Sequence, residues 1–124
     1  MSTDIKADAL LELEILASWV SQSEMKEAKG KKNLLECVDK ARETKARPLL
    51  EKLGYATIRG HFALLLRICG KASIEKPEDR TLLFFPLSGN VQVAGETLKP
   101  GNYIQLTETL DLDVQLDCLI VVLP

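Results

Sequence analysis

The stretch that decides the fold is residues 82–107, LLFFPLSGNVQVAGETLKPGNYIQLT. Short runs of β-branched and aromatic residues alternate there with closely spaced turn signals. Frequent turns between short strands are typical of barrels and sandwiches, in which closure or stacking hides the strand edges. The stretch therefore predicts a small antiparallel β-barrel. The turn signals are Ser88-Gly89-Asn90, Ala94-Gly95-Glu96 and Lys99-Pro100-Gly101-Asn102.

The chain on either side of this stretch also favours strands. Residues 80–87, RTLLFFPL, have the apolar character of a buried strand, and residues 118–124, CLIVVLP, that of a last strand. Residues 110–117 alternate, which predicts a strand with one buried and one solvated face. Its aspartates share the second face and have the chemistry of a hard-cation site, but a solvated outer face is the favoured interpretation. The apolar set is Leu110, Leu112, Val114 and Leu116, and the polar set is Asp111, Asp113, Gln115 and Asp117.

Residues 55–75, YATIRGHFALLLRICGKASIE, fit two periods. As a helix, Ile58, Phe62, Leu65 and Cys69 share a face. As a strand, two sets alternate, and Gly60 and Gly70 bracket the run, so we predict a strand. The two strand faces are Phe62, Leu64, Leu66 and Ile68 on one side, and His61, Ala63, Leu65 and Arg67 on the other.

The N-terminal part has helical signals. Residues 4–29 predict a helix that begins at Thr3 or Asp4 and ends at Gly30. Asn33 can cap a second helix, and Pro48 suits the first turn of a third helix at 48–53, which Gly54 ends. The predicted fold is therefore α+β, with an N-terminal helical segment of two to three helices (1–54) followed by a small antiparallel cupin-like β-barrel (55–124). The apolar face of the first helix combines Leu10, Leu13, Ala17 and Val20 with a second stripe, Leu11, Ile15 and Trp19.

That wide apolar face predicts packing on more than one surface, including a second copy, so we expect a homo-oligomer. Composition indicates a globular protein with a core, because 46% of the 124 residues are hydrophobic and 27% are charged. The acidic N-terminus lacks the features of a signal peptide, and no uncharged apolar run reaches the length of a membrane span. Three widely spaced cysteines without a CxxC pair predict reduced thiols, so we expect a cytoplasmic protein.

Charge is unevenly distributed along the chain. The formal net charge is −4 over residues 1–25, +7 over residues 26–71 and −5 over residues 74–124, within a total of −2. This layout either attracts a polyanion to the middle segment or lets the segments attract one another in the fold or across a dimer. We favour the second interpretation.

The spacing of turn residues across 62–124 resembles the core of cupin and pirin-like barrels. The positions that carry the resemblance are Gly89, Gly95, Pro100, Gly101 and Asn102, and the last strand is similar to that of pirin-like domains. The metal site of that family resembles two histidines two residues apart, a glutamate and a further histidine. Here His61 is the only histidine, and Ala63 stands two residues on. The resemblance therefore implies a metal-free barrel without oxygenase chemistry.

No nucleotide-binding or hydrolase motif is present, so we expect no cofactor and no enzymatic activity. If residues 55–70 form a strand, Arg59, His61 and Arg67 share one face, and their donors suit an anionic or carbonyl-bearing ligand. We predict a non-enzymatic binding or regulatory module that engages a small ligand or a protein partner through these residues.

The alternative is a helix-turn-helix DNA-binding regulator built from residues 48–69. Helix 48–53 and a turn at Gly54-Tyr55 would lead to a second helix from Thr57, which would present Thr57, Arg59 and His61 to the major groove. The segment is basic, as phosphate contacts require. Gly60 opposes this alternative because glycine costs about 1 kcal/mol in a helix interior.

Overall fold

A computed structural model of the chain describes all 124 residues. Two helices, α1 (Ala7–Val20) and α2 (Arg42–Leu53), are interleaved with nine strands. The first half contains β1 (Thr3–Asp4), β2 (Met25–Glu27) and β3 (Leu34–Cys37), and β4 (Phe62–Ile74) follows α2. The remaining strands are β5 (Thr81–Pro86), β6 (Val91–Val93), β7 (Glu96–Leu98), β8 (Asn102–Leu106) and β9 (Leu110–Leu123).

Seven strands form one open sheet, in the order β1-β8-β5-β9-β4-β3-β2, and β6 and β7 form a separate hairpin. The predicted barrel is therefore wrong, because the sheet ends in two free edges, β1 and β2. The turn signals were correct locally. Ala94 and Gly95 both have positive φ, 52° and 80°, as a type I′ hairpin turn requires. They close the short β6–β7 hairpin, whereas closure of the whole sheet depends on distant pairings that turn residues do not specify.

The N-terminal helical segment is also wrong, because three strands of the main sheet come from residues 3–37. Helix α1 ends at Val20, so residues 21–29 do not continue it. Asn33 does not cap a helix, since its φ is 62° and it accepts a hydrogen bond from Cys69 N at 2.9 Å. This contact starts the pairing of β3 with β4, and that tertiary pairing overrides the local helical pattern. Pro48 lies inside α2 rather than in the first turn of a separate helix.

The predicted strand at 62–68 is confirmed and is longer than expected. β4 runs from Phe62 to Ile74 and pairs along its whole length with β9. The two sets of side chains predicted for opposite faces do separate. Leu66 and Ile68 lie in one core, and Leu65 lies in the other. Predicted strands at 110–116 and 118–124 are one continuous strand, β9.

The centre of the sheet is buried on both faces. On one face, α1 and α2 pack on Leu65, Phe85 and Leu119. On the other face, the β6–β7 hairpin contributes to a core with Ile68 and Phe84. The apolar run Leu82–Phe85 therefore alternates between two cores, which explains why it shows no polar face. Neither helix is long and apolar enough to cross a membrane.

Candidate functional site

A cleft of about 600 Å³ lies between α2, the end of β3 and the start of β4. Its apolar part comprises Ala46 and Leu50 from α2, Ala56 from the turn after α2, and Phe62–Leu65 from β4. Charged side chains surround that part: Glu36, Arg42, Glu43, Arg47 and Glu51. His61, Thr57 and Cys37 complete the lining. The cleft thus combines an apolar floor with a polar rim, as is typical of ligand sites.

The cleft exists because β3 is much shorter than β4. β3 pairs only with Leu66–Ile68, and after Cys37 the chain leaves the sheet towards α2. The last residue of β3, Cys37, lies opposite Leu65 in this register, so Phe62–Leu64 have β9 on one side and no strand on the other. Helix α2 returns above this uncovered stretch and forms the opposite wall.

The turn between α2 and β4 is held in place by Tyr55. Its amide donates to Leu50 O at 3.0 Å, and its carbonyl accepts from Ile58 N at 3.0 Å. Burial and a hydrogen bond with Tyr103 raise the pKa of Tyr55 above its ordinary value. Tyr103 in turn stacks on Phe85, with ring centroids 4.6 Å apart. The turn that carries His61 is therefore anchored to the core of the sheet.

His61 is half-buried and lines the cleft. Its Nδ1 lies 2.7 Å from the carbonyl oxygen of Ile58. A carbonyl oxygen only accepts, so Nδ1 carries the hydrogen, and in the neutral ring Nε2 is left as an acceptor. His61 thus offers the cleft one acceptor, or one donor when the ring is protonated.

The charges along α2 have no ion-pair partner. Glu43, Arg47 and Glu51 are spaced four residues apart and share one row of the helix. The ion pairs of the molecule lie elsewhere: the N-terminus with Glu96, Lys31 with Glu75, and Arg67 with Asp117. The last two of these join the basic middle segment to the acidic C-terminal segment, as the favoured interpretation of the charge layout predicted.

Arg67 lies outside the cleft and makes contacts within the fold. Its Nε is 2.7 Å from Asp117 Oδ1, and its Nη2 is 3.2 Å from Oδ2, so the pair is bidentate. Nη2 also donates to Val20 O at 3.2 Å, at the C-terminal end of α1. The hydrogen bond to Asp117 raises the pKa of Arg67. Arg67 therefore joins β4, β9 and α1.

The three residues predicted to bind a ligand do not form one site. Arg59 is exposed on the turn after α2 and is not part of the cleft lining. His61 and Arg67 are six residues apart on one extended segment, which separates them by roughly 20 Å. His61 is the only one of the three in the cleft.

Sequence reasoning missed two parts of the structure. The α2 wall was missed, although the spacing of Glu43, Arg47 and Glu51 was a visible signal of one helical row. Asp117 was assigned to a solvated face with Asp111 and Asp113, yet it is 7% exposed while the other two are exposed. Its partner becomes evident only from the register, which places Arg67 opposite Asp117.

The helix-turn-helix arrangement is not formed. Residues 48–53 belong to α2 and Gly54 ends it, as predicted, but residues 57–61 form turns and β4 begins at Phe62. No group of three or more His, Cys, Asp or Glu side chains is placed to hold a metal ion. The pKa of the Cys118 thiol is raised, first by burial and then by the charge of Asp117.

Comparison with protein families, with curated proteins and with solved structures finds no match for this chain. The resemblance of residues 62–124 to cupin and pirin-like proteins therefore stays a prediction, although the barrel that it implied is not formed.

Proposed function

We propose that the protein is a non-enzymatic binding module whose small ligand or protein partner docks in the cleft between α2 and Phe62–Leu65. One observation carries this proposal. The start of β4 has no strand on one side, and across an apolar floor it faces charged side chains of α2 that have no ion-pair partner. The volume, about 600 Å³, lies within the range of small-molecule sites, roughly 300–1,000 Å³.

The polar groups of the cleft suit binding better than catalysis. The Cys37 thiol is directed to Ser23 Oγ at 3.5 Å, and Cys37 is 3% exposed. His61 Nδ1 is hydrogen-bonded to a backbone carbonyl rather than to a carboxylate. Nucleophilic catalysis uses a nucleophile within hydrogen-bond reach of an oriented base, and no hydrogen bond joins these two residues.

The test is a fragment screen observed by ¹⁵N–¹H correlation spectra of the whole chain. Fragments that bind are expected to shift the amide resonances of Ala46, Leu50 and Ala63. The variant Ala56→Trp fills the cleft and should abolish these shifts. The matched control, Lys52→Trp, adds the same side chain on α2 outside the cleft and should leave them. Shifts that persist in Ala56→Trp, or a screen without any response in the cleft, would contradict the proposal.

We also propose that the protein self-associates through α1. Leu11 and Ile15 are 59% and 56% exposed, four residues apart, and Trp19 continues their row half-buried. A stripe of this kind is self-complementary about a two-fold axis, which is the commonest symmetry of homodimers.

Sedimentation equilibrium tests this second proposal. We expect a dimer at tens of micromolar that Ile15→Glu dissociates, whereas Ser21→Glu, at the exposed C-terminal end of the same helix and turned away from the stripe, leaves it intact. A monomer at these concentrations would remove the proposal.

A further inference from the structure

The uncovered stretch of β4 differs from the two outer edges of the sheet. At one edge β1 has only two residues, one of them Asp4, and at the other β2 carries exposed Lys26 and Glu27. Very short strands and charged side chains are the usual protection of an edge against pairing with another chain. Phe62–Leu64 carries no charge, and Phe62 is 47% exposed. This inner edge lacks the protection that both outer edges have.

The backbone of this stretch presents hydrogen-bonding groups to the cleft. On the β3 side of β4, Cys69 N donates to Asn33 O, and Lys71 O accepts from Asn33 Nδ2. The groups that face β3 therefore belong to odd-numbered residues, because successive residues of a strand alternate in direction. The register with β9 runs without a bulge from Phe62 to Ile74. Ala63 consequently directs both its amide and its carbonyl into the cleft.

We propose that the cleft accepts an extended peptide segment of a partner protein as an added strand, antiparallel to β4 and paired with Phe62–Leu64. This inference rests on the proposed function and names the class of partner. The added strand continues the line of β3, which already pairs with Leu66–Ile68 in the same antiparallel sense. Its affinity comes from main-chain hydrogen bonds, and its specificity from pockets for alternate side chains.

The charges at the two ends of the cleft define the chemistry of the segment. An antiparallel segment has its amino end beside Leu64, next to Cys37 at the end of β3 and near Glu36, which also lines the cleft. Its carboxyl end lies beside Phe62, next to His61. A basic residue at the first position matches Glu36, and an acidic residue at the last matches His61 when its ring is protonated and Nε2 donates. Side chains between them that point to α2 meet Ala46 and Leu50, so they are aliphatic.

The experiment uses the blocked peptide acetyl-Lys-Val-Ala-Val-Glu-amide and the full chain. Two further versions are N-methylated at alternate residues: one at the odd-numbered positions of the peptide and the other at the even-numbered positions. Only one of these two sets of amides faces β4, because successive residues of a strand alternate in direction. The version that loses this set should lose at least tenfold in affinity, and the other version should bind like the parent. The charge-reversed peptide, acetyl-Glu-Val-Ala-Val-Lys-amide, should bind several-fold more weakly. Hydrogen exchange of the Ala63 amide should slow at least tenfold when the parent peptide is bound.

A protein variant tests the same edge from the other side. Ala63→Pro removes the amide that faces the cleft and leaves the ladder with β9, because proline is tolerated where the N–H of an edge residue has no partner. It should lose at least tenfold in peptide affinity with an unchanged circular dichroism spectrum. If this variant does not fold, the difference in affinity between the two N-methylated peptides is the test of strand addition.

The remaining outcomes separate this inference from the proposed function. If both N-methylated peptides bind alike, or the peptide shifts Ala46 and Leu50 without protecting Ala63, strand addition is overturned while the cleft remains a binding site. If fragments bind in the cleft and no peptide does, strand addition is likewise overturned and the cleft remains a binding site. If the free protein is a dimer that Ala63→Pro dissociates, the edge belongs to a second copy and the peptide proposal is overturned. If neither peptides nor fragments shift cleft resonances, both proposals fall.

Discussion

Replacing Arg67 by methionine tests whether the Arg67–Asp117 pair holds the fold together. The substitution keeps a long side chain over the sheet but removes the bidentate contact, at 2.7 and 3.2 Å, and the hydrogen bond to Val20 O. It leaves the Asp117 carboxylate buried, with a side chain 9% exposed, and without its cationic partner.

The magnitude follows from how far each partner is buried. Breaking a buried ion pair costs about 3–5 kcal/mol, and breaking an exposed pair costs about 0.2–1 kcal/mol. Asp117 is buried, but the Arg67 side chain is 29% exposed, so we expect about 3 kcal/mol for Arg67→Met. A chain of this size has a total stability of about 5–15 kcal/mol. With a urea m-value of about 1–3 kcal/mol/M, the unfolding midpoint should fall by about 1–3 M without a change in m.

A double-mutant cycle measured by urea denaturation separates the pair from the packing. Asp117→Leu should cost less than Arg67→Met, because the remaining arginine has access to water and the remaining aspartate does not. The double variant Arg67→Met/Asp117→Leu should be more stable than Arg67→Met alone, since it leaves no buried charge. A loss under about 0.5 kcal/mol in Arg67→Met would refute the reasoning, as would losses that simply add in the double variant.

Three further predictions follow from single residues. Cys69 is exposed whereas Cys37 and Cys118 are buried, so one thiol per chain should react rapidly with Ellman's reagent and two only on unfolding; two fast thiols would contradict the packing. Ala94→Asn should stabilise the protein by a few tenths to about 1 kcal/mol in thermal unfolding, because asparagine tolerates the positive φ of a type I′ turn better than alanine; Ala94→Val is the control that should destabilise. Pro48→Ala should stabilise by about 1–3 kcal/mol, because proline inside α2 lacks an amide donor; a loss of stability would show that the proline conformation is needed there.

The turn-rich region was predictable because its structure is encoded locally. Ala94-Gly95 closes a hairpin, and Asn102 N donates to Lys99 O at 3.1 Å across the predicted turn. The same signals could not distinguish a closed barrel from the open sheet that forms, because closure depends on which distant strands pair. Leu34–Cys37 illustrates the difference: its apolar residues suit a short helix, and only pairing with Leu66–Ile68 makes it a strand.

The candidate site was predictable only in part, for a related reason. His61 was selected for its donor and acceptor chemistry, and the structure places it in the cleft. Arg67 was selected by the same criterion, but its partner lies 50 positions further along the chain and is set by strand register. The cleft itself arises from a difference in length between β3 and β4, and no single residue type predicts that difference.

The position of the Arg67–Asp117 pair explains how one edge of β4 is left free for a partner. β4 is fully paired with β9 along one side, and β3 covers the other side at Leu66–Ile68, next to the ion pair. The stability of the long antiparallel pair of β4 and β9 therefore rests on its register and its centre, and not on the cleft edge of Phe62–Leu64. A substitution at that edge, such as Ala63→Pro, can then change binding with little effect on folding, whereas Arg67→Met should unfold the chain more readily and leave the chemistry of the cleft unchanged. Measuring peptide affinity and urea stability for both variants separates these two roles of one strand. If Ala63→Pro proved as destabilising as Arg67→Met, the edge would be part of what holds the sheet, and the division of β4 into a structural centre and a binding end would be wrong.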